Sequence, residues 1–192
     1  MTQTVLDGWS RVAMAIEKVA ERLRRSTEAL ETAGVPYAVI GGNAVAEWVG
    51  RVDEGAVRFT RDVDILLRRD DLPAAIAAME AAGFEHHQTF GVDMFVEPGG
   101  KPSEGVHVIF AGERVKADDP AAAPNVDDSV EAAFRVIDLE SIVRMKLTSF
   151  RDKDRTHLRD MIGVGLIDEG WVGRYPTVLA GRLQELFDNP EG

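Results

Sequence analysis

The sequence predicts an α+β domain: a small mixed sheet, covered by helices on one side and followed by a C-terminal helical region. Three observations predict it. Apolar residues recur at helical spacing in the N-terminal stretch, short β-branched runs bounded by glycine, proline and aspartate occupy the middle, and helical periodicity returns from Asp138 onward. The 192 residues, 45% of them hydrophobic, suit one core. A single domain over 1–192 is therefore expected, with its core at about 35–112, an N-terminal helix at 8–33 and a helical part at about 129–189.

The elements follow in order. Val12, Ile16, Val19, Leu23 and Leu30 share one face of the first helix, which Gly34 and Pro36 stop. Tyr37 to Ile40 is a short buried strand ending at Gly41-Gly42, and a helix covers roughly Asn43 to Val49. After a loop at Gly50 to Val57, Val63 to Leu67 is the next strand. Asp70-Asp71-Leu72-Pro73 starts a helix that turns Ile76, Met79 and Ala82 inward and closes at Gly83. Strands at Gly91–Glu97 and Val106–Phe110, joined by Pro98-Gly99-Gly100-Lys101-Pro102, pair as a hairpin. Gly112 to Asp128 lacks periodicity and reads as an exposed loop or arm. Asp138 caps a helix reaching Phe150, and helices at about Arg155–Gly163 and Trp171–Phe187 complete the chain.

Charge and composition exclude several classes of function. With 33 acidic and 22 basic residues the net charge is −11, which opposes general attraction to long nucleic acid or to an anionic membrane. A tRNA end would have to meet a local basic cleft. There is no cysteine, so thiol nucleophiles and cysteine zinc sites are excluded. No apolar run approaches the roughly 20 residues of a membrane span, and the first residues do not form a basic-then-apolar leader. A soluble cytoplasmic protein is the expectation.

The chemistry concentrates in two segments. In Arg58 to Leu67 (RFTRDVDILL), strand alternation puts Asp62 and Asp64 on one face and Val63, Ile65 and Leu67 on the core side. Two converging carboxylates repel unless a cation or donors lie between them, and a Mg2+ or Mn2+ ion carrying a nucleotide is a suitable occupant. A solvated Asp-x-Asp at a strand start is the ordinary alternative. Upstream, Tyr37 to Asn43 (YAVIGGN) places Gly41 and Gly42 between a buried strand and a helix N-terminus, where free N–H groups can meet a phosphate. Asn43 either caps that helix or donates its amide to the phosphate. Arg58 and Thr60 fall on the Asp62 face by alternation and are candidates to contact phosphate or support the metal shell.

Together VIGGNAVAEWVGR and RFTRDVDILL resemble the nucleotidyltransferase superfamily typified by the DNA polymerase beta palm. More narrowly they are similar to the minimal bacterial nucleotidyltransferases grouped with abortive-infection toxins, over roughly Val35 to Met161. The resemblance implies a nucleotidyltransferase-like sheet and two-metal transfer of an NMP from an NTP to an acceptor hydroxyl. The acceptor is a small molecule, a protein or a tRNA, and a toxin–antitoxin setting is part of what the resemblance brings.

The family's third carboxylate corresponds here to His107 in GVHVIFA. Three readings stand: His107 acts as base or ligand, Asp93 on the neighbouring strand substitutes, or activity is lost and the chain is a non-catalytic nucleotide-binding module. Lys146, on an otherwise apolar helix, resembles the family lysine that holds NTP phosphates, and Asp154 the carboxylate that orients either that lysine or the nucleotide. Arg151, Lys153, Arg155 and Arg159 form the strongest basic cluster, most of which a solvated helix face explains. His86 and His87 are adjacent on a strand and point apart, so they do not chelate together. The N-terminal helix offers a surface for homo-oligomerisation.

Overall fold

The computed structural model describes residues 7–191. Among them are α1 (Gly8–Thr32), β1 (Tyr37–Ile40), α2 (Gly41–Gly50), β2 (Val63–Leu67), α3 (Leu72–Ala81), β3 (Glu85–Thr89), β4 (Val92–Val96) and β5 (Val106–Phe110). They continue with β6 (Ser129–Glu131), β7 (Arg135–Ile137), α4 (Leu139–Ser149), α5 (Asp152–Gly163) and α6 (Thr177–Asp188). The strands make one mixed sheet in the order β3-β4-β5-β2-β1-β7-β6. The β1–β2 pair is antiparallel, whereas β2–β5 and β1–β7 are parallel.

Helices cover both faces of this sheet. One face carries Tyr37, Val39, Val63, Ile65 and Leu67 beneath Leu23 and Leu30 of α1 and Ala75 and Met79 of α3. The other carries Ala38, Ile40, Leu66 and Val136 against α2, α4, α5 and α6 through Val45, Ile142, Leu158 and Leu183. The expectation of a sheet covered on one side is corrected, because the C-terminal helices pack onto the second face instead of standing off as a cap. Strand β2 is buried on both faces, which is why VDILL reads as a nearly continuous apolar run.

Several local expectations change with tertiary context. Strands β6 and β7 were not visible in the sequence, since three-residue strands are too short to show a period. The strand on which the sequence places His86 and His87 is β3: its Glu-His-His-Gln-Thr sequence lies on the sheet edge, largely exposed, and is held by pairing with β4. The helix expected over Trp171–Phe187 is broken; a 3₁₀ segment at Glu169–Arg174 stops two residues before Pro176, which disfavours helix in its predecessor and is the N-cap of α6. Only the C-terminal half of α1 is packed, with Leu30 buried while Val12 stays 52% exposed.

The loop expected at 112–128 does run without regular structure, but it is not a free arm. Backbone bonds from Ala123 to Glu113 (2.8 Å) and from Gly112 to Ala123 (3.1 Å) close it into a strap, and Val126 behind it is buried. The α2 helix is tied to the sheet by Trp48, whose indole N–H donates to the Ile137 carbonyl at 2.9 Å. No described helix is long and apolar enough to cross a membrane.

Leu66 is fully buried between β2 and the C-terminal helices. Leu66→Ala is expected to cost about 2–5 kcal/mol in chemical denaturation, from lost transfer energy plus a cavity. A cost near zero would show that α4 to α6 do not pack on that face.

Candidate functional site

The site begins with register. Asp64 of β2 lies opposite Ile40 of β1 on one side and opposite His107 of β5 on the other. Directly opposed residues project to the same sheet face, so Asp64 and His107 converge just beyond the last residue of β1. Asp62 precedes β2 by one residue and joins them. One ligand atom from each of Asp62, Asp64 and His107 can be chosen so that all three lie within 4.8 Å of one another.

The chain next to β1 must make room for this group. Gly41 begins α2 with a positive φ of 68°, and a Cβ there would fall 2.8 Å from Cβ and Cγ of Asp64 and closer still to Oδ2. Only glycine fits both the backbone angle and the space. A Cβ on Gly42 would press on Thr60 at 3.0 Å. The N-terminus of α2 has no side-chain cap, which leaves its first N–H groups for a ligand.

The structure gives Asn43 a different task from those expected. Its amide donates to the Asp62 main-chain carbonyl at 2.9 Å, fastening α2 to the segment ahead of β2. The Thr60 hydroxyl donates to Oδ1 of Asp62. Arg58 lies away from the site and pairs with Asp160 of α5 at 2.6 Å. Alternation back from Asp62 to Arg58 required a continuous strand, and β2 starts only at Val63.

Burial pushes the Asp62 carboxyl up, but the Thr60 hydroxyl and the nearby Lys153 and His107 outweigh it and hold its pKa below the ordinary value. His107 is shifted the other way. The adjacent Asp64 carboxylate raises its pKa against the opposing effect of burial. Its Nε2 lies 2.9 Å from the Pro102 carbonyl, while Nδ1 faces Asp64 Oδ1 at 3.6 Å and Asp62 Oδ2 at 3.9 Å. Two carboxylates and one imidazole nitrogen on a shared face are a donor set that fits a divalent cation.

Asp93 does not complete this set. It neighbours Met94, the residue opposite His107, and so projects to the other face, where it is buried and accepts from His86 at 2.9 Å and Gln88 at 3.2 Å. His86 is thereby engaged with Asp93, while His87 approaches Glu85, so the two histidines point apart.

A cavity of about 480 Å³ is lined by Asp62, Asp64 and His107 together with Gly41, Gly42 and Thr60 and with Lys146, Lys153 and His157 of α4 and α5. Val115, Lys116 and Ala121 to Ala123 of the strap form part of its wall. Lys146 is buried and pairs with Asp154 at 3.0 Å. The other oxygen of Asp154 accepts from Ser149 Oγ at 2.7 Å and from the Arg151 Nε and main-chain N–H at 2.8 and 3.3 Å. Burial favours a neutral Asp154, yet Arg151, Lys146 and Ser149 overcome it and hold the carboxyl far below its usual range. Asp154 thus closes the first turn of α5 and sets Lys146 on the cavity wall.

His157, Arg151 and Lys153 also line the cavity. In the sequence Arg151 and Lys153 belong to a basic cluster that a solvated helix face largely explains, and His157 carries no assigned role. Their signal was weak but present, since His157 follows Asp154 by three residues and lies on the same side of α5. Burial, followed by the charge of Lys146, lowers the His157 pKa to about 4.

A family model described as an uncharacterised nucleotidyltransferase matches residues 7–141. No curated protein matches the chain. Among solved structures, an H. pylori protein described as a nucleotidyltransferase is similar with a TM-score of 0.52 at 14% identity, over 97% of this chain and 80% of that one. A nucleotidyltransferase-like antigenic protein from Paracoccidioides brasiliensis gives a TM-score of 0.50 at 18% identity, over 90% of each chain. At these identities the likeness concerns the fold.

Gly41→Ala should cost about 1–3 kcal/mol from its left-handed backbone and displace Asp64. Calorimetric titration with Mn2+ is expected to show lost binding by a protein whose circular dichroism is unchanged; full binding would refute the close approach. The pH dependence of stability supplies a second check. Because folding depresses the His157 pKa from 6.5 to about 4, its contribution is complete above about pH 6.5 and is lost as pH falls toward 4. His157→Gln should flatten the decline in Tm between pH 7 and pH 5 relative to the wild type.

Proposed function

The chain belongs to the family described as uncharacterised nucleotidyltransferases, and from that premise we propose that it transfers an NMP from an NTP to an acceptor hydroxyl in a divalent-metal-dependent reaction. The observation that carries this reading is one cavity joining the Asp62–Asp64–His107 group to the uncapped start of α2 and to Lys146. A nucleotide needs all three features: a metal mount, N–H donors for phosphate and a cation for the leaving group.

In this reading Asp62 and Asp64 hold Mg2+ or Mn2+, with His107 as third member. Such an ion, when bound, supplies charge neutralisation at the phosphates and orients the reacting oxygens. Gly41, Gly42 and Thr60 border the triphosphate, and Thr60 fixes the rotamer of Asp62 through its hydroxyl. Lys146 and Lys153 receive the β- and γ-phosphates, and Asp154 keeps Lys146 aimed. The acceptor oxygen attacks the α-phosphorus, the bond to the β-phosphate oxygen breaks, and pyrophosphate leaves. The acceptor proton passes to a base of the carboxylate–imidazole cluster or to solvent.

The acceptor is a small molecule, a protein or a tRNA end. A tRNA end reaches the site only by way of the local cations at Arg151 and Lys153, given the net charge of −11.

The test is incubation of the protein with each labelled NTP and Mg2+ or Mn2+, alone and with cell extract. Label transfer accompanied by pyrophosphate release is the expected result. Asp62→Asn and Asp64→Asn should each reduce it by about a hundredfold or more, whereas Arg58→Ala, at the exposed pair with Asp160, should leave it within about twofold. Nucleotide binding with no pyrophosphate from any NTP would replace the enzyme with a nucleotide-binding module.

A further inference from the structure

We propose that the Asp62–Asp64–His107 site selects a first-row transition cation, Mn2+ or a later member of the series, over Mg2+. The proposal deepens the transferase reading and rests on it for the use to which the cation is put.

The donor set is the first support. A site with three carboxylates offers only hard oxygen ligands and three negative charges, which suits Mg2+. Here the third position is an imidazole, opposite Asp64 across the β2–β5 ladder, so one charge is gone and one nitrogen is gained. Magnesium loses from both changes. Affinity of nitrogen for divalent ions rises from Mn2+ through Co2+ to Ni2+, so the later metals recover by bonding what they lose in charge.

The second support is the way the ring is held. Nε2 lies 2.9 Å from the Pro102 carbonyl, and a carbonyl accepts only from a donor, so the proton sits on Nε2. In the neutral ring the free lone pair is then on Nδ1, the atom that faces both aspartates at 3.6 and 3.9 Å. A ring nitrogen with its partner N–H bonded to a backbone carbonyl is the arrangement that orients histidine metal ligands and raises their basicity. Pro102 is itself fixed, because the turn around it closes through Glu104 N–H to Lys101 O at 2.9 Å and Gly105 N–H to Pro102 O at 3.1 Å. The ring is thus oriented with Nδ1 toward the two aspartates before any cation arrives.

The full chain, free of nucleotide, is titrated by calorimetry with Co2+ and with Mg2+, and the proton NMR spectrum of the Co2+ form is recorded. Co2+ is expected to bind at least about tenfold more tightly than Mg2+. A hyperfine-shifted, exchangeable resonance from the Nε2–H of His107 should accompany it. His107→Asp should remove that resonance and lower the Co2+ to Mg2+ affinity ratio by about tenfold or more, while His87→Gln, outside the site, should change neither. Absence of the resonance in Co2+-loaded wild type, its persistence in His107→Asp, or an unchanged ratio overturns the proposal; the wild-type spectrum decides even if the variant fails to fold. A shifted resonance in a protein that transfers no nucleotide removes the transferase reading and leaves the metal assignment standing. Mg2+-supported transfer without the resonance does the reverse.

Discussion

One row of residues across three strands, Ile40 on β1, Asp64 on β2 and His107 on β5, sets the geometry on which the rest depends. Because side chains alternate, a slip of one residue would turn Asp64 into the apolar core under α1 and α3 and bring Val63 or Ile65 to the site. Burial of β2 on both faces prevents that slip. The apolar residues that flank the aspartates serve as their register lock, so core packing and site geometry are one constraint viewed from two sides of the sheet.

The same row dictates the neighbouring backbone. Asp64 occupies the space that a side chain on residue 41 would need, so β1 turns into α2 through a left-handed glycine without an intervening loop. The helix N-terminus is consequently delivered beside the carboxylates. Asn43 and Thr60 complete the joint, one holding the main chain of Asp62 and the other its carboxylate. A metal mount and a phosphate cradle thus share a single hinge of chain.

Electrostatics on the α4 and α5 wall of the cavity follow a different logic. Lys146 is buried, which is costly for an unpaired ammonium, and Asp154 offsets this by accepting from it and from Ser149 and Arg151 as well. The carboxylate also caps the first turn of α5, where negative charge is favoured. A basic wall is therefore built into a protein of net charge −11 without asking the surface to be basic. The neighbouring His157 stays neutral near Lys146, keeping the wall from accumulating further charge at neutral pH.

The sequence alone determined the elements of the central sheet. Continuous apolar runs in YAVI and VDILL, the Gly-Gly pair between strand and helix, and Asp-x-Asp at a strand start are local patterns, so β1, α2 and β2 were legible together with the side of the sheet that Asp62 and Asp64 take. Tertiary structure decided everything that depended on pairing between distant segments. It brought His107 beside Asp64, turned Asp93 to the opposite face, sent Arg58 to Asp160 and folded the strap over the cavity. Strands β6 and β7 escaped the sequence for a related reason: they are held by neighbours and are too short to carry an apolar alternation of their own. Local spacing specifies which face a residue takes, whereas only long-range register specifies what it meets there.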